Sequence, residues 1–230
     1  MTEVYAQLRE ELLSGAVEPD RPISQIKLAH RLGISRTPLR EALRMLQRDG
    51  LISSEPNRQV RATALSVTDL EELYASRITI EALALRITLP RSTGSDLDDL
   101  EHALGAMTAA AMDRDVESWE EPHRRFHGLL RRHAGPRIGR IADELAAHSE
   151  RYRRVYLTEP IAWSSAAAEH SAIVEACRAS DDRVAANRLA RHLARTALTV
   201  IASLAPEHDA LPVRAAVRLV VALPDSKEDQ

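Results

Sequence analysis

The chain contains one cysteine, Cys177, which excludes a disulfide framework within a single molecule and points to a reducing compartment. Aromatic residues make up only 3% of the 230 positions, so any core must be built from Leu, Ala, Ile and Val, which favours helices. No apolar run approaches the roughly 20 residues needed to span a bilayer, and the N-terminus lacks a signal-peptide pattern. The expectation is a soluble, cytoplasmic protein without membrane contact. Also absent are His-Glu-x-x-His, a nucleophile elbow, a glycine-rich phosphate loop and a paired-cysteine motif. Glu120-x-x-His123 resembles half of a di-iron carboxylate site, but no second Glu-x-x-His accompanies it. An enzyme is therefore not expected. A metal-dependent hydrolase using Glu120 or Glu169 as base is the remote alternative.

What is present is unevenly distributed. Hydrophobic residues reach 44%, enough for two packed domains. The net charge of −3 is the sum of opposite halves. Residues 21–61 carry nine Arg and Lys against three acids, a local charge of +6, which leaves −9 elsewhere. A basic segment on an acidic chain is the charge distribution of a nucleic-acid reader with a second, non-reading domain.

Within that segment, Ser35 to Gly50 reads as one helix with both ends written in. Ser35 is a natural N-cap, Pro38 lies in the first turn, and Gly50 suits the left-handed residue past the end. Leu39, Ala42, Leu43 and Leu46 form an apolar stripe, while Arg36, Arg40, Arg44 and Arg48 step along another face. Upstream, Ile23, Ile26, Leu28, Ala29 and Leu32 make a short helix, joined by the turn Leu32-Gly33-Ile34. Helix, short turn and capped basic helix is the helix-turn-helix arrangement, whose second helix enters the major groove. Downstream, residues 51–54 and 60–63 read as two strands of a hairpin, a wing. A first helix over Val4–Leu13, stopped by Gly15 and with Val4, Leu8, Leu12 and Tyr5 inward, completes this unit.

The run Tyr5–Thr63 resembles the winged helix-turn-helix of the GntR family of bacterial transcription regulators. The resemblance is carried by Leu8-Arg9-Glu10, Ser14-Gly15, Leu28-Ala29, the stretch Leu32-Gly33-Ile34-Ser35-Arg36-Thr37-Pro38-Leu39-Arg40-Glu41-Ala42-Leu43, Leu46 and Gly50-Leu51-Ile52. Gln25 stands where the family usually has Glu, and Gln59 where the wing usually has Gly. Gln disfavours positive φ, so the second departure bears on the wing tip. The resemblance implies a homodimer reading inverted half-sites of operator DNA. Arg36 and Arg40 are the expected base-edge contacts. Ser35, Thr37, Lys27 and Arg44 are expected on phosphates, and Arg58 at the minor groove or backbone.

From Thr68 to about Ala205 there is no period-two pattern, only amphipathic helical runs. They fall near 68–89, 96–112, 115–133, 137–157, 162–179 and 182–204, broken at Pro90, Gly94, Gly135-Pro136, Pro160 and Ser180-Asp181. Six such runs on short connections predict an antiparallel all-α bundle. The expected fold is mainly α: a winged helix-turn-helix over 1–65, the bundle over 66–206, and an extension over 207–230. In that extension, Val213–Leu223 reads as a strand or a short helix, and 227–230 as a frayed end.

Four of the nine histidines share a pattern. His123 and His127 are at i and i+4, so they lie on one helix face. His170 is one turn before Ile173 and Val174, and His192 shares a face with Leu189 and Thr196. Three helices would thus bring four imidazoles to one point in the bundle. Neutral imidazole suits zinc, nickel and similar ions.

Residues from about Asp69 to His192 resemble the FCD effector-binding domain of the FadR-type branch of the GntR family. The matching features are Arg77-x-x-x-Glu81, Phe126-His127, Glu169-His170 and His192-Leu193. In many members an Asp four residues before the Phe-His histidine joins three histidines in binding a divalent metal. Here His123 takes that Asp position, leaving an all-imidazole set that favours zinc or nickel. Pro136 stands where members commonly have Asn. The resemblance implies a small organic-acid effector, with Arg77, Glu81 and Arg153 as its candidate partners and Arg154 a further one. Arg77 either reads an effector carboxylate or pairs with Glu81 at i+4. The regulator, expected to be a repressor, answers either to such an acid or to the metal alone.

Overall fold

In the computed structural model, residues 3–14, 16–20, 22–53, 60–159 and 161–222 are described. Gly15, Arg58, Gln59, Pro160 and the segment 223–230, each given a role above, lie outside the described residues. The chain divides into two compact units, Met1–Ser66 and Val67–Gln230.

The first unit is organised by α3 (Arg36–Arg48), whose Leu39, Ala42, Leu43 and Leu46 are all buried. Against it pack α1 (Glu3–Leu13) and α2 (Gln25–Arg31), which add Tyr5, Leu8, Leu28 and Ala29 to the same core. Both α2 and α3 end in a left-handed glycine with a Schellman pair of hydrogen bonds. At Gly33 (φ 65°) the amides of Gly33 and Ile34 donate to the carbonyls of His30 and Ala29. At Gly50 (φ 69°) those of Gly50 and Leu51 donate to Gln47 and Leu46. The tight turn between helices therefore depends on Gly33 tolerating positive φ. Tyr5 Oη donates to Asp49 Oδ2 at 2.5 Å, and Arg31 grips Glu11 at 2.9 and 2.6 Å, so both ends of the pair are tied to α1.

Three details depart from the sequence reading. Ser35 occupies the N-cap position of α3 but makes no side-chain cap hydrogen bond, whereas Ser24 caps α2 through the Lys27 amide. Ile26 is 65% exposed, because an inward Leu28 and Ala29 turn a residue two positions earlier outward. Ile23 is not helical: Pro22–Ile23 forms β1, which joins β2 (Ile52–Ser53) and β3 (Val60–Ala62) in an antiparallel sheet ordered β1-β3-β2. Ile23 pairs with Val60, and Ile52 with Ala62, so the wing is a three-stranded sheet rather than a bare hairpin. A third strand gives the hairpin the support that two strands alone lack.

The second unit is entirely helical among its described residues. It runs through α4 (Val67–Thr88), a 3-10 turn at Leu89–Arg91, α5 (Gly94–Met112), α6 (Val116–Leu130) and α7 (Pro136–His148). It continues with α8 (Glu150–Tyr156), α9 (Ala162–Arg178), α10 (Asp182–Leu204) and α11 (Leu211–Val221). Thr93 and Asp96 form a capping box on α5, while Asp115 and Asp181 cap α6 and α10. Helix α4 packs on α10, α11 and α7, α5 on α6 and α9, and α10 also on α9, α8 and α11. One apolar cluster runs through all these contacts, from Leu70 and Tyr74 to Val200 and Ile201.

The expected helix over 137–157 is broken in two at Ser149, which is fully buried. Its hydroxyl donates to the Ala146 carbonyl at 2.7 Å and accepts from Arg153 at 3.1 Å. Residues 207–222 are not a separate appendage. Val213, Ala216 and Val220 recur at helical spacing along α11 and, with Ala210 at its N-cap, enter the same core as α4 and α10. No helix among the described residues is long and apolar enough to cross a membrane.

Candidate metal centre and candidate nucleic-acid interface

Helix α6 carries two imidazoles one turn apart, and its other inward residues, Trp119 and Phe126, fix the face that turns inside. From α9 comes His170, held between Ala166 and Ile173, and from α10 comes His192, between Leu189 and Thr196. The structure brings all four sequence-predicted ligands together. One nitrogen from each of His123, His127, His170 and His192 lies within 4.8 Å of all the others, and all four residues are buried. Ring centroids of His123 and His127 are 4.5 Å apart, and those of His170 and His192 4.3 Å.

These rings are short of partners. His123 Nδ1, both nitrogens of His127 and His170 Nε2 are buried without a hydrogen bond. An orphaned buried polar atom costs about 1–3 kcal/mol, so four in one cluster is a large penalty unless something fills the space. A cation is the group that satisfies several lone pairs at once. Burial pushes His123, His170 and His192 well below the ordinary imidazole value, and the neighbouring Arg153, Arg77 and other imidazoles add to this. Burial also lowers His127, despite the opposing pull of Glu81. All four are thus kept neutral with lone pairs available at neutral pH, as metal ligation requires. The donor set fits a borderline divalent ion.

Outside the imidazoles lie two carboxylates. Glu81 faces His127 Nδ1 at 3.5 Å and accepts from Arg77 Nε at 2.8 Å, with Arg131 at 3.9 Å. Burial alone would raise its carboxyl, but Arg77, His127 and Arg131 together hold it well below the usual range. Glu169 Oε2 lies 2.9 Å from His192 Nδ1, and its Oε1 pairs with Arg195 Nε. Partial burial pushes Glu169 up to about 7, against the pull of Arg195. Trp119 stacks on His123 with centroids 4.3 Å apart, and Trp163 meets Trp119 edge-on.

The residues marked for an effector are placed as follows. Arg77 and Glu81 form a buried ion pair with each other. Arg153, on α8, is paired with Glu120 of α6 through both its Nε and a terminal nitrogen. Arg154 reaches Glu117 at 2.5 Å and Glu150 at 3.6 Å. Glu120 is therefore committed to a guanidinium rather than facing the imidazoles as a free base. Of three further members of this environment, Trp119 and Arg195 had no role assigned from sequence, and Glu169 only that of a base in the remote hydrolase alternative. Spacing carried a signal for two of them, since Trp119 lies at i−4 from His123 and Arg195 at i+3 from His192.

In the first unit, the face of α3 opposite Leu39 and Leu46 is open. Arg36, Thr37 and Arg40 are exposed, as are Ser35 before them and Lys27 on α2. Arg44 is exposed but leans on Glu41 at 2.9 Å. Among the described residues, Arg36 and Arg40 have no ion-pair partner, so their guanidinium groups are available to an anion. Arg58 lies outside the described residues.

A winged helix-turn-helix unit joined to an all-helical unit with a buried imidazole cluster defines a class of two-domain bacterial regulators. Residues 1–61 match the family described as bacterial regulatory proteins, gntR family, and residues 72–195 match the FCD domain. The chain belongs to the GntR family, with an FCD domain as its second unit. It is 32% identical over 130 residues to the uncharacterized HTH-type transcriptional regulator YdhC of Bacillus subtilis (strain 168). That match covers 56% of this chain and 58% of YdhC, so it spans little more than half of that relative. A longer match, 26% identical over 198 residues, covers 84% of this chain. It also covers 87% of the "Probable D-xylose utilization operon transcriptional repressor" of Paenarthrobacter nicotinovorans. Among solved structures, E. coli McbR/YncC superposes with a TM-score of 0.71 at 22% identity, over 89% of this chain and 100% of that one, a likeness of fold.

Proposed function

We propose that this protein is a homodimeric transcription repressor that binds operator DNA in the cytoplasm. In this reading its helical unit holds a divalent metal, zinc or nickel, and a small organic-acid effector. The observation that carries the reading is the meeting of four buried imidazoles, three of them with stranded nitrogens, inside the FCD unit. His123, His127, His170 and His192 would hold the ion, which when bound supplies a Lewis-acidic point for a carboxylate or hydroxyl. The chain's own part is to keep those rings neutral by burial and to hold their outer carboxylates in place with arginines.

On the DNA side, Arg36 and Arg40 read base edges, guanidinium to guanine O6 and N7 being the commonest specific contact. Ser35, Thr37, Lys27 and Arg44 lie on phosphates, and Arg58 approaches the minor groove or backbone. Arg40→Ala is expected to cost about 1–3 kcal/mol of operator affinity and to relax specificity at one base pair. A gel-shift series over single-base operator variants checks this. Equal loss on every sequence would reassign Arg40 to a phosphate.

A second reading, a metal-sensing regulator with no organic effector, is favoured by one observation. The buried arginines marked for an acid, Arg77 and Arg153, already face Glu81 and Glu120. The two readings separate in one experiment on the full chain. Operator binding is measured for metal-depleted protein, for protein with zinc or nickel, and for metal-loaded protein with a panel of small carboxylic and sugar acids. A switch produced by metal alone makes the ion the signal. A switch that needs an acid at constant metal makes the ion its scaffold. No response in any arm removes both.

A further inference from the structure

We infer that Glu169 is a positioning residue for the metal centre: it holds His192 in the tautomer that leaves the Nε2 lone pair free for an ion. The inference rests on the metal reading given above and assigns a part to a residue outside the four ligands. A neutral imidazole has one N–H and one lone pair, and whichever nitrogen carries the proton cannot ligate. Glu169 Oε2 sits 2.9 Å from His192 Nδ1, within hydrogen-bond range for a donated N–H. An ionised Glu169 can only accept, which places the proton on Nδ1 and the lone pair on Nε2.

The arrangement follows from adjacent residues on α9. His170 and Glu169 are successive, about 100° apart around the helix, so one enters the cluster while its neighbour reaches α10. There Glu169 meets two residues one turn apart, His192 through Oε2 and Arg195 through Oε1. Each carboxylate oxygen has its own partner, which fixes the plane of the group as well as its position.

Glu81 is the competing candidate for such a part, and the distances decide between them. It lies 3.5 Å from His127 Nδ1, beyond the ordinary range, and its charge is drawn by both Arg77 and Arg131. Glu169 is closer to its imidazole and answers to one guanidinium, that of Arg195, which is 57% exposed and so well screened by water. With His123 in place of a carboxylate among the ligands, Glu169 is the outer carboxyl group in closest contact with the cluster. Carboxylates hydrogen-bonded to a metal-ligating histidine typically contribute 10–100-fold to metal affinity.

The test uses the full-length protein with Glu169→Ala and Glu169→Gln. In metal-free protein, 15N-resolved histidine spectra are expected to show His192 protonated at Nδ1 in the wild type and in Glu169→Gln, whose amide oxygen still accepts. In Glu169→Ala that preference is expected to be lost. Zinc affinity, measured by competition with a chromophoric chelator, should fall about 10–100-fold in Glu169→Ala and by less in Glu169→Gln. An unchanged tautomer and unchanged affinity in Glu169→Ala would overturn the inference, as would a Gln variant as weak as the Ala variant. Failure of the wild type to bind zinc or nickel at all would instead remove the metal reading, a separate result of the same titration.

Discussion

Zinc or nickel added to the metal-free protein is expected to raise the melting temperature of the helical unit by about 10 °C. An ion that binds the folded state alone stabilises it by about 4 kcal/mol when its free concentration is a thousandfold above Kd. For a unit of the size of Val67–Gln230, each kcal/mol moves the midpoint by about 2–4 °C. The sign is secure on structural grounds, because the four imidazoles meet only when α6, α9 and α10 are packed, and an unfolded chain offers no such set. His170→Ala should remove nearly all of the shift. Structural zinc sites contribute about 10–16 kcal/mol, so one ligand of four is worth roughly 3–4 kcal/mol, or a few hundredfold in affinity. His170 also packs against Phe126, so its loss lowers the metal-free midpoint as well. The comparison is therefore the shift with and without metal inside each variant, read by differential scanning calorimetry. A full shift retained in His170→Ala would exclude it as a ligand, and no shift in the wild type would remove the metal reading.

How much of this was legible in the sequence differs from feature to feature, for physical reasons. The core face of α3 and both its ends were readable because helical period, proline and a left-handed glycine are local properties. Strand β1 was not, since two residues cannot display a period of two, and Ile23 acquires its pairing only from Val60, far along the chain. The break at Ser149 was hidden for a related reason. Residues 137–157 keep an amphipathic pattern throughout, and the chain turns there through the Ser149 hydroxyl and its link to Arg153, whose own partner is Glu120 on α6. Helix α11 stayed ambiguous because a short apolar run fits a strand or a helix until a neighbouring face selects one.

Within the site, the i,i+4 spacing placed His123 and His127 on one face, but their approach to His170 and His192 is a property of packing. The pairing of Arg77 with Glu81 was one of two readings that spacing allowed, and it is the contact the structure contains. The link from Arg195 through Glu169 to His192 joins two helices, and no motif announces it.

Lowering the pH from 7 to 5 is expected to destabilise the metal-free helical unit by several kcal/mol. His123, His170 and His192 are held well below the ordinary imidazole value in the folded state, while in the unfolded chain they titrate near 6.5. Between those values the unfolded chain binds more protons than the folded one, so stability falls as pH falls. The limiting slope is about 1.4 kcal/mol per pH unit for each group, which sets an upper bound of roughly 2 kcal/mol per imidazole at pH 5 and about 6 for the three. His127, also lowered, adds to the same side. Glu169 acts the other way: with its carboxyl raised to about 7, the folded state takes up that proton first and gains stability as pH falls through this range. It is one partly exposed group, screened by water, against four buried rings, so it offsets a part and does not reverse the sign. Glu81, held low, adds to acid destabilisation only near and below the ordinary carboxylate range. Thermal melts by circular dichroism at pH 7, 6 and 5 read the result. His123→Ala should flatten the pH dependence by about one proton's worth, since it deletes one of the groups that must be charged on unfolding. A midpoint that stays constant from pH 7 to 5 would mean that these imidazoles are not buried in their neutral form, and with that the chemistry assigned to the cluster would fall.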